Sequence, residues 1–343
     1  MSPTPSTDAQ VARERASHAL HLLESGVAIH DPLLEIVSRH ADRLSRPHRT
    51  PLDTLRIRRD VEHRLRRTGD PIVCWSQSML DALRGSGWPV VYRPCVTRER
   101  MTPDGAVLVL AHSDVQRERL IAAGQPAQQV RVVPSPVLDS PSTLTRKQLG
   151  LAEDDFAWLL TSETGPGGNL RLAVWIGTLI HVMFRDTDPG GRRHRLVLVG
   201  DSEQHRLARR FVDQTGLPQL GVTFGSDRPA DYVAAAKCCD GMLLMHNRPA
   251  SAWPLRVGAA AGLKLLISGA PELREAAATV PEAAVAGIDR LEVQPAVEAA
   301  LKLVARPATP HGGAFDELRG VRERWQAALS RIYSDGVQSA AAS

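Results

Sequence analysis

At 343 residues, with 43% hydrophobic and 23% charged side chains, the chain is long enough for two globular domains, each with its own core. Aromatic residues make up 4%, which argues against a base-stacking platform for single-stranded nucleic acid, and a net charge of +4 is small for this length, so no nucleic-acid partner is expected. The four cysteines, Cys74, Cys95, Cys238 and Cys239, have no metal-ligand spacing, which points to a reduced, cytoplasmic protein without a bound metal.

Residues 1–10 (MSPTPSTDAQ) read as a disordered tail and not as a signal peptide, and no run of about 18 apolar residues occurs that would span a membrane. From Ala12 to about Arg67 the apolar spacing is helical, as in Leu20 and Leu23, then Leu33, Leu34 and Val37. Between Arg39 and Arg67 arginines outnumber acids. That excess is either a solvated helix face or a patch for anionic lipid or a phosphorylated acceptor, a peripheral contact at the inner membrane face. Strand-like runs then recur at 71–75, 89–93, 106–112 and 130–134, with helical segments at 78–84 and 115–123. A polar connector at 140–150, with a short helix at 144–149, sets the expected boundary: an abbreviated first domain at 11–140, a linker at 141–152 and a second domain at 153–333, followed by a disordered tail at 334–343. The second half alternates more cleanly. Strands are predicted at 156–161, 195–199, 221–224, 241–245, 263–267 and 283–286, and helices at 169–184, 203–215, 231–238, 255–261, 272–278, 294–304 and 315–333. The segment 240–268 reads as a βαβ unit, so the loop from His246 to Trp253 stands where an open parallel sheet binds its ligand. The fold class is α/β, with two Rossmann-like domains.

Four stretches carry a resemblance. They are VLAHSDVQRERLIAAGQPAQQVRVVPSPV (109–137), LVLVGDSEQHRLARRFVDQTGLPQLGVTFGS (196–226), YVAAAKCCD (232–240) and FDELRGVRERWQAALSRIY (315–333). In order and spacing they resemble the GT4 (glycosyl transferases group 1) family of GT-B glycosyltransferases over most of residues 106–333. The match is weak before Pro71, where the family has its first strand and a Gly-rich acceptor loop. The resemblance implies two Rossmann-like α/β/α domains facing across a cleft, closed by a long C-terminal helix. It also implies a metal-independent, retaining transfer of a sugar from a nucleotide-diphosphate donor, with no further cofactor. The acceptor would be a glycan, a lipid-linked molecule or a small molecule.

In such a family the leaving diphosphate is met by helix N-termini and basic side chains. The family's basic pair falls on the loop 161–169, where this chain has Glu163 and Gly168, and its E-x7-E carboxylates fall near Pro249 and at Val257. What the chain offers instead is the glycine backbone of Gly165, Gly167 and Gly168, then Asn169 at the helix start and Arg171 as replacement charge. Further donor-side candidates are Gly200, Asp201 and Glu203 after one strand, His246, Asn247 and Arg248 after another, and Trp253, Arg256 and Gly258 on the next helix. His112, at the end of the 106–112 strand, is the weak catalytic candidate. Each has a plainer reading: surface turn, exposed arginine, core glycine, satisfied histidine. No Ser–His–Asp order, Walker sequence or G-x-G-x-x-G with a following acid is present. Two functions remain: an active transferase, or a catalytically inactive relative that binds nucleotide, glycan or a partner transferase.

Overall fold

The computed structural model describes residues 19–24, 33–34, 43–46, 50–68, 72–94, 104–141, 144–160, 169–184, 191–200, 203–225, 228–246, 251–289, 292–306 and 315–340. Its contacts divide the chain into two units, Met1–Pro136 with Glu317–Ser343, and Val137–Asp316.

The first unit is a parallel sheet of six strands: β1 (Leu20–Glu24), β2 (Arg43–Arg46), β3 (Ile72–Cys74), β4 (Val90–Tyr92), β5 (Ala106–Ala111) and β6 (Val130–Val132). They are ordered β2-β1-β3-β4-β5-β6, with the helices Pro51–Thr68, Gln77–Leu83 and Asp114–Ala122 as crossovers. The helical expectation for the region before Arg67 is corrected at residues 20–24 and 43–46, which form β1 and β2. Residues 20–24 form a strand between β2 and β3, with Leu20 and Leu22 buried in the core and His21 buried as well. A strand buried on both faces shows no alternation, and Leu20 with Leu23 then mimics helical spacing. The first unit therefore has two strands before Pro71 and a six-stranded sheet.

The second unit holds β7 (Phe156–Leu160), β8 (His194–Val199), β9 (Gly221–Phe224), β10 (Gly241–Leu244), β11 (Lys264–Ser268) and β12 (Val285–Ile288). All pairs are parallel, in the order β12-β11-β10-β7-β8-β9. Counted from β7 this is 6-5-4-1-2-3, the doubly wound dinucleotide-binding order, whose ligand crevice opens where the strand order reverses, here between β7 and β10. Continuous apolar runs such as FAWLL and GMLL make these strands: every residue of both is buried. Helices Leu170–Phe184 and Val293–Ala305 pack on one side, with Pro229–Ala236, Trp253–Ala260 and Pro271–Ala277 on the other. Two glycines allow close packing, one on each face. On the second face a Cβ at Gly258 would lie 2.7 Å from Leu265 Cδ2 and 3.1 Å from the Met242 thioether, and on the first face one at Gly241 would lie 2.6 Å from the Trp158 ring.

The expected linker belongs to the second unit. Val137, Leu149 and Leu151 are buried in its core, and residues 146–150 turn instead of forming a helix. Arg146 fixes this turn, donating to Ala152 O at 3.1 Å, Cys238 O at 2.9 Å and Asp240 Oδ2 at 3.1 Å, and also to Asp155 O. The last helix, Leu318–Ala340, runs beyond residue 333 and into the expected tail, and it groups with the first unit. Val321, Trp325 and Leu329, four residues apart, are its buried stripe. Trp325 stacks at 6.1 Å on both His21 and Trp75, and Trp75 Nε1 donates to His21 Nδ1 at 2.9 Å. Among the described residues no helix is long and apolar enough to cross a membrane.

Candidate functional site

The carboxyl ends of β7 and β10 lie side by side in the second sheet, and three described features converge there. Asn169 caps the 15-residue helix Leu170–Phe184: its Oδ1 accepts from Leu172 N at 3.1 Å, and its own N–H donates to Met245 O at 2.8 Å. The positive end of a long helix is thereby tied to the last turn of β10, an arrangement that favours an anion. His246 follows directly. Its N–H donates to Ser268 Oγ at 3.0 Å, and Ser268 Oγ–H donates back to His246 O at 2.7 Å, so the end of β11 fixes the backbone leaving β10. Both residues are buried, and burial lowers the His246 imidazole from 6.5 to about 4, leaving it neutral near pH 7.

Other candidates fall on or near this rim. Gly200 ends β8 with φ at 134°, inside the region open to glycine, and its N–H donates to Phe224 O at 3.0 Å. Glu203 begins the helix Glu203–Gln214. Gly165, Gly167, Gly168, Asp201, Asn247 and Arg248, with Glu163 and Pro249, lie outside the described residues.

The remaining donor-side candidates have work of their own. The Arg171 guanidinium lies over the Phe211 ring, 5.4 Å from its centroid, on an exposed helix face. Trp253 packs against Tyr232 with ring centroids 5.4 Å apart and borders the core. Arg256 Nη2 pairs with Asp316 Oδ2 at 3.2 Å. The same carboxylate oxygen accepts from Val137 N at 2.8 Å, while Asp316 N donates to Val137 O at 2.7 Å. Arg256 thus braces the two ends of the second unit. Gly258 faces Leu265 and Met242, where a side chain would not fit, which is the core-packing reading of this glycine. Val257 is fully buried, so the helix turns an apolar face toward the sheet at the position where the family carries a carboxylate.

His112 stands in the first unit, at the end of β5. Its Nε2–H donates to Pro94 O at 2.9 Å, and Nδ1 faces Arg93 Nη2 at 3.0 Å and Ser135 Oγ at 3.1 Å. Nδ1 opposite a guanidinium is an acceptor, which fixes the Nε2–H tautomer. Arg93 is buried and also donates to Leu110 O at 3.5 Å and to Val133 O, pinning the carboxyl ends of β4, β5 and β6 together. In the first sheet the order reverses between β1 and β3, so His112 lies two strands from that switch.

Sequence reasoning missed Ser268, Asp316, Arg93 and Ser135. Ser268 and Arg93 carried a signal: each is the polar residue that closes an apolar strand run (LKLLIS, VVYR), at the sheet end where ligands and loops gather. Asp316 and Ser135 carried none, since their partners are distant in sequence.

Among the described residues no group of three or more His, Cys, Asp or Glu side chains is placed to hold a metal ion. No protein-family model matches the chain, and no curated protein matches it. Solved structures do. The chain is similar to a sucrose-phosphate synthase from Thermosynechococcus elongatus, with a TM-score of 0.64 and 14% identity over 95% of this chain and 100% of that one. It is similar to Anabaena HepE, solved in complex with UDP and glucose, with a TM-score of 0.59 and 16% identity over 99% and 98%. It is also similar to WaaG, a glycosyltransferase involved in lipopolysaccharide biosynthesis, with a TM-score of 0.59 and 13% identity over 92% and 94%. The chain has the GT-B glycosyltransferase fold.

Proposed function

We propose that this protein is a metal-independent, retaining glycosyltransferase that takes its sugar from a nucleotide-diphosphate donor. The observation that carries this reading is the switch between β7 and β10, where Asn169 caps a long helix and ties it to Met245. The diphosphate sits at that helix N-terminus, just after the Gly165, Gly167 and Gly168 of the sequence. That HepE was solved with UDP and glucose on the same fold supports a uridine or related donor here. The acceptor is a glycan, a lipid-linked molecule or a small molecule, and Arg39 to Arg67 with the exposed Leu52 and Leu55 favours one held at an anionic membrane face.

A second reading, a donor-binding protein without turnover, is favoured by one observation. The helix Trp253–Ala260 contains no acid, its Arg256 is held by Asp316, and Val257 is in the core. The two readings separate in one assay. The sugar conjugate of whichever nucleoside diphosphate binds is incubated with the protein, and free nucleoside diphosphate is followed over time. Steady release above the protein-free rate identifies the transferase, since such sites hydrolyse donor slowly even without acceptor. Tight binding with no release identifies the inactive relative.

A further inference from the structure

The helix Leu170–Phe184 is apolar on both sides. One side fills the core beneath the second sheet. On the other, Trp175, Val182 and Met183 are 42%, 53% and 50% exposed, with Leu172 and Leu179 half-buried between them, so positions 172, 175, 179, 182 and 183 form a continuous outer stripe. The neighbouring helix Glu203–Gln214 extends it: Phe211 contacts Trp175 with ring centroids 5.9 Å apart, and Leu207, one turn earlier, is 54% exposed. Among the described residues, four of the eight exposed large hydrophobic side chains lie on these two helices.

Beside the stripe on this flank, arginines outnumber acids among the described side chains. Arg171, Arg206 and Arg210 are exposed, while Arg209 is paired with Asp213 at 3.2 Å. On the far flank, the helix Val293–Ala305 shows Glu298 and Lys302, which offset each other, and Glu298 also accepts from Gln294. We propose that this face docks on an anionic lipid surface, with Trp175, Val182, Met183 and Leu207 entering the headgroup boundary and Arg171, Arg206 and Arg210 meeting lipid phosphates. Size argues against a second copy of this chain. The stripe spans twelve residues, Leu172 to Met183, roughly 17 Å, by about 20 Å across two helices, on the order of 340 Å² where a stable dimer buries about 800 Å² per partner. This inference is independent of the donor site and of turnover.

The test is flotation of the full chain with vesicles of phosphatidylcholine alone and with roughly one third phosphatidylglycerol added, at low and high salt. The wild type floats with the anionic vesicles at low salt only. Val182→Asp with Met183→Asp lowers the bound fraction roughly tenfold or more, and Arg206→Ala with Arg210→Ala lowers partitioning by about fivefold per arginine. Both variants stay folded, the aspartate pair with a small drop in melting temperature from carboxylates in the helix's last turn. A control, Arg56→Glu with Arg59→Glu on the Pro51–Thr68 helix, reads the contribution of the first unit separately. A wild type that stays with the unbound fraction, or a Val182/Met183 variant that floats undiminished, overturns the proposal. So does a dimer in sedimentation velocity that the Val182→Asp change dissolves, because the face then belongs to a second copy.

Discussion

Ser268→Ala removes one oxygen from the interior of the second unit. That hydroxyl is fully buried, accepts from His246 N at 3.0 Å and donates to His246 O at 2.7 Å. The methyl that replaces it fits, so no cavity or clash confuses the result. The change takes the hydroxyl away from two buried backbone groups, each worth about 1–3 kcal/mol when left unmatched, and the expected loss is roughly 2–4 kcal/mol. The loss is local: the ladder of β10 against β7 and β11 remains, while the backbone leaving β10 at Met245 and His246 is released. Urea unfolding followed by a probe in the second unit reads the global cost as a lower midpoint at unchanged slope. Amide exchange at His246 reads the local one. Because Met245 O accepts from Asn169 N, the loosened backbone also weakens nucleotide binding. A loss below about 0.5 kcal/mol, within the range of a neutral surface change, with His246 exchange unaltered, would refute the view that Ser268 fixes this part of the site.

Three further outcomes follow from particular residues. Burial holds the His246 ring at about 4 in the folded chain against 6.5 in the unfolded one, so only the unfolded state gains the proton as pH falls. Stability is therefore complete above pH 6.5 and is lost between 6.5 and about 4, by up to roughly 3 kcal/mol, and His246→Gln flattens that slope; an identical pH profile in the variant contradicts the burial argument. Gly258→Ala places its methyl 2.7 Å from Leu265 Cδ2 and costs about 1 kcal/mol net, an overpacking loss of about 1–3 partly offset by about 1 from helix propensity, with nucleotide affinity unchanged; lost affinity at unaltered stability would return Gly258 to the donor site. Trp325→Ala costs about 3–5 kcal/mol, and amide exchange rises in β1 and β3 but not in β7 and β10; the opposite pattern would detach the last helix from the first unit.

Strands and helices of the second unit were legible because its segments are punctuated: GMLL, the helix WPLRVGAA, then Gly262 and KLLIS give boundaries within a residue or two. The strand ends where a candidate site would lie were legible for the same reason, since a parallel sheet fixes which strand ends carry the loops. Strand β1 was not. Leu20, His21 and Leu22 are buried, so both faces of the strand are covered, and its pairing with β2 and β3 is a tertiary fact that no local period records. Nor was the return of the last helix to the first unit, which rests on Trp325 meeting His21 and Trp75 some 250 to 300 residues away in the chain, by subtraction of their numbers. The roles of the site candidates divided by the same logic. Asn169 could be read as a helix start from sequence. Arg256, Gly258 and Trp253 could not be sorted between ligand and core, because Asp316, Met242 and Tyr232 become their neighbours only in the fold.

The central claim is that the β7–β10 switch binds a nucleoside diphosphate. Calorimetric titration with UDP, GDP, ADP and dTDP, on the wild type and on Gly168→Glu, tests it most directly. At about 100 times its dissociation constant a ligand adds roughly 2.7 kcal/mol to the folded state, so thermal shift gives the same answer independently. One diphosphate bound by the wild type at micromolar strength, and repelled when a carboxylate is placed at residue 168 with the fold intact, is the expected result. No binding of any of the four at millimolar concentration, or equal affinity in the Gly168→Glu variant, would contradict it.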